Sequence, residues 1–210
     1  MNIKSWDKKA RSKTDTTTNE FLITSNDDIL IFYKDQIAKY GCSSKALTYP
    51  SDELYQKKLS QYGSILKPIV KSTQKLLDVG CGYGSLLSVF ENCLYQGIDI
   101  VPEFITEARK RFPAFNFSLL DVHDVESRFD WVVGLGIMGL IPNPIHTLNH
   151  LWCIAERGMI IDFIDSRRYN ESLNTYNIEE CTKMLIDWGA NRIKIHSIEG
   201  CSWVVFEVSK

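Results

Sequence analysis

No stretch of this sequence stays apolar long enough to cross a bilayer. The longest run, Trp131 to Ile141, is broken by three glycines and falls short of the roughly 20 residues a membrane helix needs. The opening stretch, Met1 to Glu20, is rich in Lys, Thr and Asp and lacks the apolar core of a secretory signal. Cysteine occurs six times, at 42, 81, 93, 153, 181 and 201, but never as C-x-x-C, and the four histidines do not join it at metal-ligand spacing. That pattern predicts no metal site. Most of the cysteines lie in apolar runs such as Leu151-Trp152-Cys153-Ile154, so they read as small buried hydrophobes in a reducing, cytoplasmic setting. An excess of one charge is missing too. The net charge is -2 and the pI about 6.1, which makes nucleic acid a poor candidate partner. Lys8, Lys9, Arg11 and Lys13 form the densest basic cluster, diluted by Asp7 and Asp15, and read as a solvated tail.

What is present is a core. Of the 210 residues, 44% are hydrophobic and 24% charged, in proportions that suit one globular domain with an added segment. Residues 1–20 read as a flexible tail. Residues 21–72 read as a helical lid segment. One helix there, capped by Asp27 or Asp28, runs to about Tyr40 and stops at Gly41. A second follows Pro50-Ser51. From 73 to 210 the pattern is that of an α/β domain. Strands are expected at 75–79, 95–100, 115–120, 129–135, 159–164, 192–196 and 203–208. Helices are expected at 85–91, 102–111, 144–155 and 178–188. Such alternation predicts a mostly parallel α/β sheet with helices on both faces. The last two strands, joined by a short turn at Gly200, should pair antiparallel.

The chemistry concentrates in Leu76-Leu77-Asp78-Val79-Gly80-Cys81-Gly82-Tyr83-Gly84-Ser85. A strand enters a glycine-rich turn that lets backbone approach a ligand closely. Measured against the dinucleotide pattern G-x-G-x-x-G, the position due a third glycine or alanine is Ser85, and the third glycine is Gly84. Asp78 is more telling. A carboxylate about 5 Å from a pyrophosphate is repelled by roughly 3 kcal/mol per charge pair at an effective dielectric near 20. A ligand carrying an ammonium and a sulfonium reverses that sign, and S-adenosylmethionine carries both and no phosphate. Asp99 lies 19 residues beyond Gly80, where an acid accepts from both hydroxyls of an adenosine ribose. Ile100 follows it. Asp121, after the third strand, is placed to accept from an adenine amino group, with the backbone of Val122 beside a ring nitrogen.

These residues resemble a class I S-adenosylmethionine-dependent methyltransferase from about 75 to 165. The likeness rests on Asp78 to Gly84, on Gly97-Ile98-Asp99 and on Asp121. It implies a Rossmann-like, mostly parallel seven-stranded sheet with the last strand inserted antiparallel, and cofactor contacts from Asp78, Gly80, Cys81, Gly82, Gly84, Asp99, Ile100, Asp121, Val122 and Leu135, with Gly136 next to the last. The segment around Pro50–Leu59 resembles small bacterial members of the class. Those carry Q-x-R-F before the domain, where this chain has Gln56-Lys57-Lys58-Leu59. Lysine in place of arginine gives up the bidentate fork that grips a carboxylate.

The acceptor side has fewer signals. His123 reads as a surface-loop residue, and His146 and His150, four apart, as a solvent-facing pair. Tyr33 and Tyr40 are candidates to line a lid, though such a stripe also serves plain packing. Asp162 and Asp165 flank the end of the fifth strand, and Asp165 is a candidate to face the acceptor. No catalytic residue is assigned: methyl transfer has a neutral leaving group, and a general base is needed only when the acceptor must lose a proton. Relatives that methylate nucleobase amines place N/D-P-P-Y/F after the fourth strand, and Gly134 to Gly139 is not that motif. The leading expectation is methyl transfer to O or N of a small-molecule acceptor. RNA or a peptide as acceptor is the second reading, and a cofactor-binding module without catalysis the third. An NAD-dependent oxidoreductase is disfavoured by Asp78 and Gly84.

Overall fold

In the computed structural model, residues 23–91, 93–167 and 173–210 are described. The expected tail at 1–20 and its basic cluster lie outside them. Seven strands form one sheet: β1 (Lys75–Val79), β2 (Leu94–Asp99), β3 (Asn116–Leu119), β4 (Phe129–Gly134), β5 (Ala155–Ile164), β6 (Arg192–Ser197) and β7 (Trp203–Ser209), in the order β3-β2-β1-β4-β5-β7-β6. The first five pair in parallel. β7 slots antiparallel between β5 and β6. This is the expected Rossmann-like sheet. The chain reverses between β1 and β4, the kind of switch point where open α/β sheets take their ligands.

Among the described residues five α-helices flank the sheet: α1 (Asn26–Tyr40), α2 (Asp52–Leu66), α3 (Pro102–Arg111), α4 (Pro144–Ile154) and α5 (Ile178–Asp187). Period-two alternation along the strands divides the core in two. Leu77, Val132, Ile161 and Phe206 face α4 and α5 through Leu148, Leu151, Cys181 and Leu185. Leu76, Val133, Ile160 and Val205 face α2 and α3 through Leu59, Leu66, Ile105 and Ala108. Each such side chain, fully buried, is worth about 1.5–3 kcal/mol of transfer free energy. The two faces of one sheet therefore hold the helices that bring side chains to its carboxyl edge.

Helix ends follow local chemistry, with two departures from expectation. The cap of α1 is Ser25 rather than Asp27 or Asp28. Its hydroxyl accepts from the Asp28 N–H, and the Asp28 carboxylate accepts from the Ser25 N–H, a reciprocal box that satisfies two otherwise orphaned donors. The helix expected at 85–91 is a single 3-10 turn, Ser85–Ser88. It has no side-chain cap, Gly63 of α2 leaves no room for a Cβ beside Val89, and Phe90 is buried, so the segment is drawn into the core before a second turn forms. Ser51 caps α2 as expected. Proline opens α3 and α4, where its missing N–H costs nothing. Among the described residues no helix is long and apolar enough to cross a membrane, no His, Cys, Asp or Glu group is arranged to hold a metal ion, and all six cysteines are free.

Candidate cofactor and acceptor cavity

A cavity of about 690 Å³ opens at the carboxyl edge of the sheet, between β1, β2 and β4 below and the segment from α1 to α2 above. It falls within the roughly 300–1,000 Å³ usual for small-molecule sites. Asp78, Gly80, Cys81, Gly82, Asp99, Ile100, Asp121, Val122, Leu135 and Gly136 all line it, so residues scattered over nearly sixty positions meet at one place. Gly84 does not line it. That glycine sits behind the turn with φ +74°, where a Cβ would press on the Phe117 ring, and it serves packing.

The turn after β1 is held by the sheet. The Cys81 N–H donates to the Ile98 carbonyl at 3.0 Å, extending the β1–β2 ladder past Val79, and the Gly84 N–H donates back to the Cys81 carbonyl. Gly80 and Gly82 have φ of +67° and +53°, a region side chains avoid. A Cβ on Gly80 would collide with Cγ2 of Ile137, and one on Gly82 would point at Leu47 across the cavity. The first glycine lets two loops touch and the second keeps the cavity open.

Three carboxylates stand along the edge. Asp78 is buried and accepts from the Tyr95 hydroxyl at 2.7 Å. Burial, with the Asp99 charge adding to it, pushes its pKa to about 7 against the relief given by Tyr95. Asp99 accepts from the Gly82 N–H and the Val101 N–H, each at 2.9 Å. Burial raises it to about 6 in spite of those bonds. Each carboxylate has about four lone-pair sites, so Asp99 keeps capacity for ribose hydroxyls. Asp121 caps its own short turn by accepting from the His123 N–H, and its other oxygen accepts from the amide of Asn26, the first residue of α1. That bond fastens α1 over the end where adenine was expected. Among the described residues no cation stands beside the buried acids Asp78 and Asp99, and a ligand bearing an ammonium fits that deficit. A pyrophosphate does not.

The acceptor-side expectations fare unevenly. Tyr33 lines the cavity and rests edge-on against Phe104. Tyr40, at the far end of α1, is exposed and does not line it. His146 and His150 are not simply solvent-facing. Helix α4 packs on the turn after β3, so His123 stacks on His146 at 4.5 Å, lies 5.4 Å from His150 and meets the Thr147 hydroxyl at 3.1 Å. Burial and the two neighbouring imidazoles lower the pKa of His123. Asp165 is bound by the Arg167 guanidinium and does not line the cavity. Asp162 is fully buried behind the wall, where it accepts from the Gly136 N–H at 2.7 Å and from the Tyr62 hydroxyl, and pairs with the Lys58 ammonium at 3.5 Å.

Lys58 emerges as a site residue from its surroundings. It is 5% exposed, lines the cavity, and its ammonium lies 3.6 Å from the centre of a Trp203 ring, with Tyr62 and Tyr49 at 5.3 and 5.4 Å. Burial lowers its pKa, partly offset by Asp162. The only sequence hint was its place in Gln56-Lys57-Lys58-Leu59. Nothing in the sequence pointed to Asn26 or to Trp203, which sit in a helix start and a strand of ordinary composition.

Residues 70–196, more than half of the chain, match a family model described as a methyltransferase domain. No curated protein matches the sequence significantly. The magnesium protoporphyrin IX methyltransferase of Synechocystis, solved with S-adenosylhomocysteine (SAH) bound, is 19% identical. The alignment covers 75% of this chain and 83% of that one, with a TM-score of 0.62. An S-adenosylmethionine-dependent methyltransferase of Thermotoga maritima, named as a possible histamine N-methyltransferase, is 12% identical over 87% of this chain and 99% of that one, at 0.65. A methyltransferase solved in complex with a methyltransferase activator of Haloferax volcanii is 14% identical over 84% and 96%, also at 0.65. At such identities the likeness is one of fold, and with the family match it supports S-adenosylmethionine as the cofactor. On that match the chain belongs to the methyltransferase domain family.

Proposed function

We propose that this chain transfers the methyl group of S-adenosylmethionine to an oxygen or nitrogen of a small-molecule acceptor. The observation that carries the reading is one cavity with two sectors: buried carboxylates on the β1–β2 side, and a mainly apolar wall of Leu140, Ile141, Ile164, Ile198 and Trp203 on the β5–β7 side. The cofactor supplies a methyl group on a sulfonium, whose departure leaves a neutral thioether. Asp99 accepts from the ribose hydroxyls, Asp78 faces the ammonium, and Asp121 with Val122 holds the adenine. Leu135 and Gly136 shape the floor between the sectors. Gly80, Cys81 and Gly82 bring main chain close, while Gly84 supports them from behind. Residues 21–72 act as a lid through α1 and α2, and 73–210 form the methyltransferase domain proper.

Catalysis here needs positioning more than proton transfer. Holding a nucleophile in line can contribute roughly 7–11 kcal/mol to lowering the barrier. A largely apolar acceptor sector serves that by limiting water and the directions of approach. Two neighbours bear the names of small acceptors, a magnesium porphyrin and, as a possible one, histamine, which supports a small-molecule acceptor. Calorimetric titration with S-adenosylmethionine, SAH and NAD tests the cofactor reading. Micromolar binding of the first two without NAD is the expected result, and binding of NAD alone would overturn it. A small-acceptor screen with radiolabelled methyl donor then tests the acceptor class, and label incorporated only into RNA or protein would count against it.

A further inference from the structure

The acceptor sector contains a charge that its walls do not satisfy. The Lys58 ammonium is almost wholly buried. Its ion pair with Asp162, at 3.5 Å, is too long to be a good hydrogen bond, and among the described residues its nitrogen has no hydrogen-bond partner. An ammonium carries three donors. Ring faces of Trp203, Tyr62 and Tyr49 stabilise the charge but accept no conventional hydrogen bond from it. Asp162 is meanwhile engaged by Tyr62 and Gly136, so it is more than the counter-ion of Lys58. A buried charge with unmet donors is costly unless a partner arrives. Lys58 lines the cavity, so the partner can arrive from there.

We propose that Lys58 is the docking point for a carboxylate on the acceptor, and that the acceptor is a largely apolar, mono-anionic acid. This rests on the methyltransferase reading for the word acceptor, but not for the binding chemistry. Three features select the ligand. The wall around Lys58 is aromatic and aliphatic, from Tyr49, Ile164, Ile198 and Trp203, which suits a flat hydrophobic body. Lys58 is held against β5 and β7 through Asp162 and Trp203, whereas the cofactor acids stand at β1 and β2. The other lysine of the described lining, Lys57, is exposed and paired with Glu199 at 3.3 Å, so among the described residues Lys58 is the one buried ammonium of the lining, which suits a single negative charge better than a dianion. Lysine, a compact point charge, tolerates several approach angles of a carboxylate where arginine would demand a bidentate one.

The test is calorimetric, on the full chain, with and without SAH. The probes are benzoate, naphthoate and indole carboxylate, each against its neutral amide. The acids are expected to bind the wild-type protein roughly ten-fold or more tighter than the amides, the range of a charge-assisted hydrogen bond. Lys58→Met is expected to erase that preference while leaving SAH affinity within about two-fold. Equal binding of acids and amides to the wild-type protein, or no binding of any acid, overturns the proposal. So does a preference that survives in Lys58→Met. Loss of SAH affinity in the variant with the acid preference intact assigns Lys58 to the cofactor instead and also overturns it. Should Lys58→Met fail to fold, Lys58→Gln is read in the same way. A wild-type protein that prefers acids but binds no SAH would sink the methyltransferase reading and leave this inference standing.

Discussion

At the scale of single residues, the site runs on carboxylates kept short of charge. Asp78 and Asp99 have pKa values of about 7 and about 6 in the fold, above the ordinary 3.8. A raised folded-state value means that the fold favours the protonated acid. The contribution of these two groups to stability is therefore full below pH 4 and is lost as pH rises through 6 to 7. Binding of a ligand with an ammonium reverses the preference, because the cation wants the carboxylate ionised. SAH binding is therefore expected to release protons between pH 6 and 7 and to tighten up to about ten-fold per unit per proton released. Titration in buffers of different ionisation enthalpy measures the release directly, and proton uptake would contradict the assignment. Asp99→Ala is expected to abolish SAH binding and to cost a few kcal/mol of stability, since it orphans the Gly82 and Val101 N–H groups at about 1–3 kcal/mol each. Retained affinity in a folded variant, followed by calorimetry and a thermal melt, would remove Asp99 from the site.

At the scale of elements, the site depends on two loops from neighbouring strands fitting against each other. Gly80 follows β1, Ile137 follows β4, and a side chain at the former meets the latter. Gly80→Ala adds both a methyl group in a full space and a strained φ. Together these are expected to cost about 2–4 kcal/mol in chemical denaturation. Adding Ile137→Ala should not restore stability, because the strain remains and a cavity is added. The strands and their order were legible in the sequence because each apolar run is short, continuous and followed by a helical stretch, and burial on both sheet faces leaves little else for such a run to do. The acids at the strand ends were legible for the same reason: a carboxylate that closes an apolar strand has few structural uses. Lys58 could be noticed but not understood. Its aromatic surroundings come from Tyr49, Tyr62 and Trp203, and Trp203 is 145 positions away. The histidine stack escaped reading likewise, since it needs the contact of α4 with the turn after β3. The helix expected at 85–91 closes after one turn where Val89 packs against Gly63, on a different helix, a contact that the local sequence does not display.

At the scale of the whole molecule, a ligand that binds the folded chain alone stabilises it by about 2.7 kcal/mol at a hundred times its dissociation constant. For a chain of this size that corresponds to roughly 5–10 °C in the melting temperature. SAH is expected to produce such a shift and NAD at the same concentration none, a comparison that differential scanning fluorimetry makes in an afternoon. An equal shift with both would point to a generic nucleotide fold. The same view of the whole chain shows how unevenly the cavity is walled. Its floor is a seven-stranded sheet with two cores behind it, while α1 has Ile29 as its one buried residue, with Leu30, Tyr33 and Ile37 half-buried and the Asn26–Asp121 bond at its tip. Elements held so lightly are the first to open. On the proposed methyl-transfer reading, passage into and out of the cavity then falls to α1, which parts from the body at lower cost than the sheet beneath it.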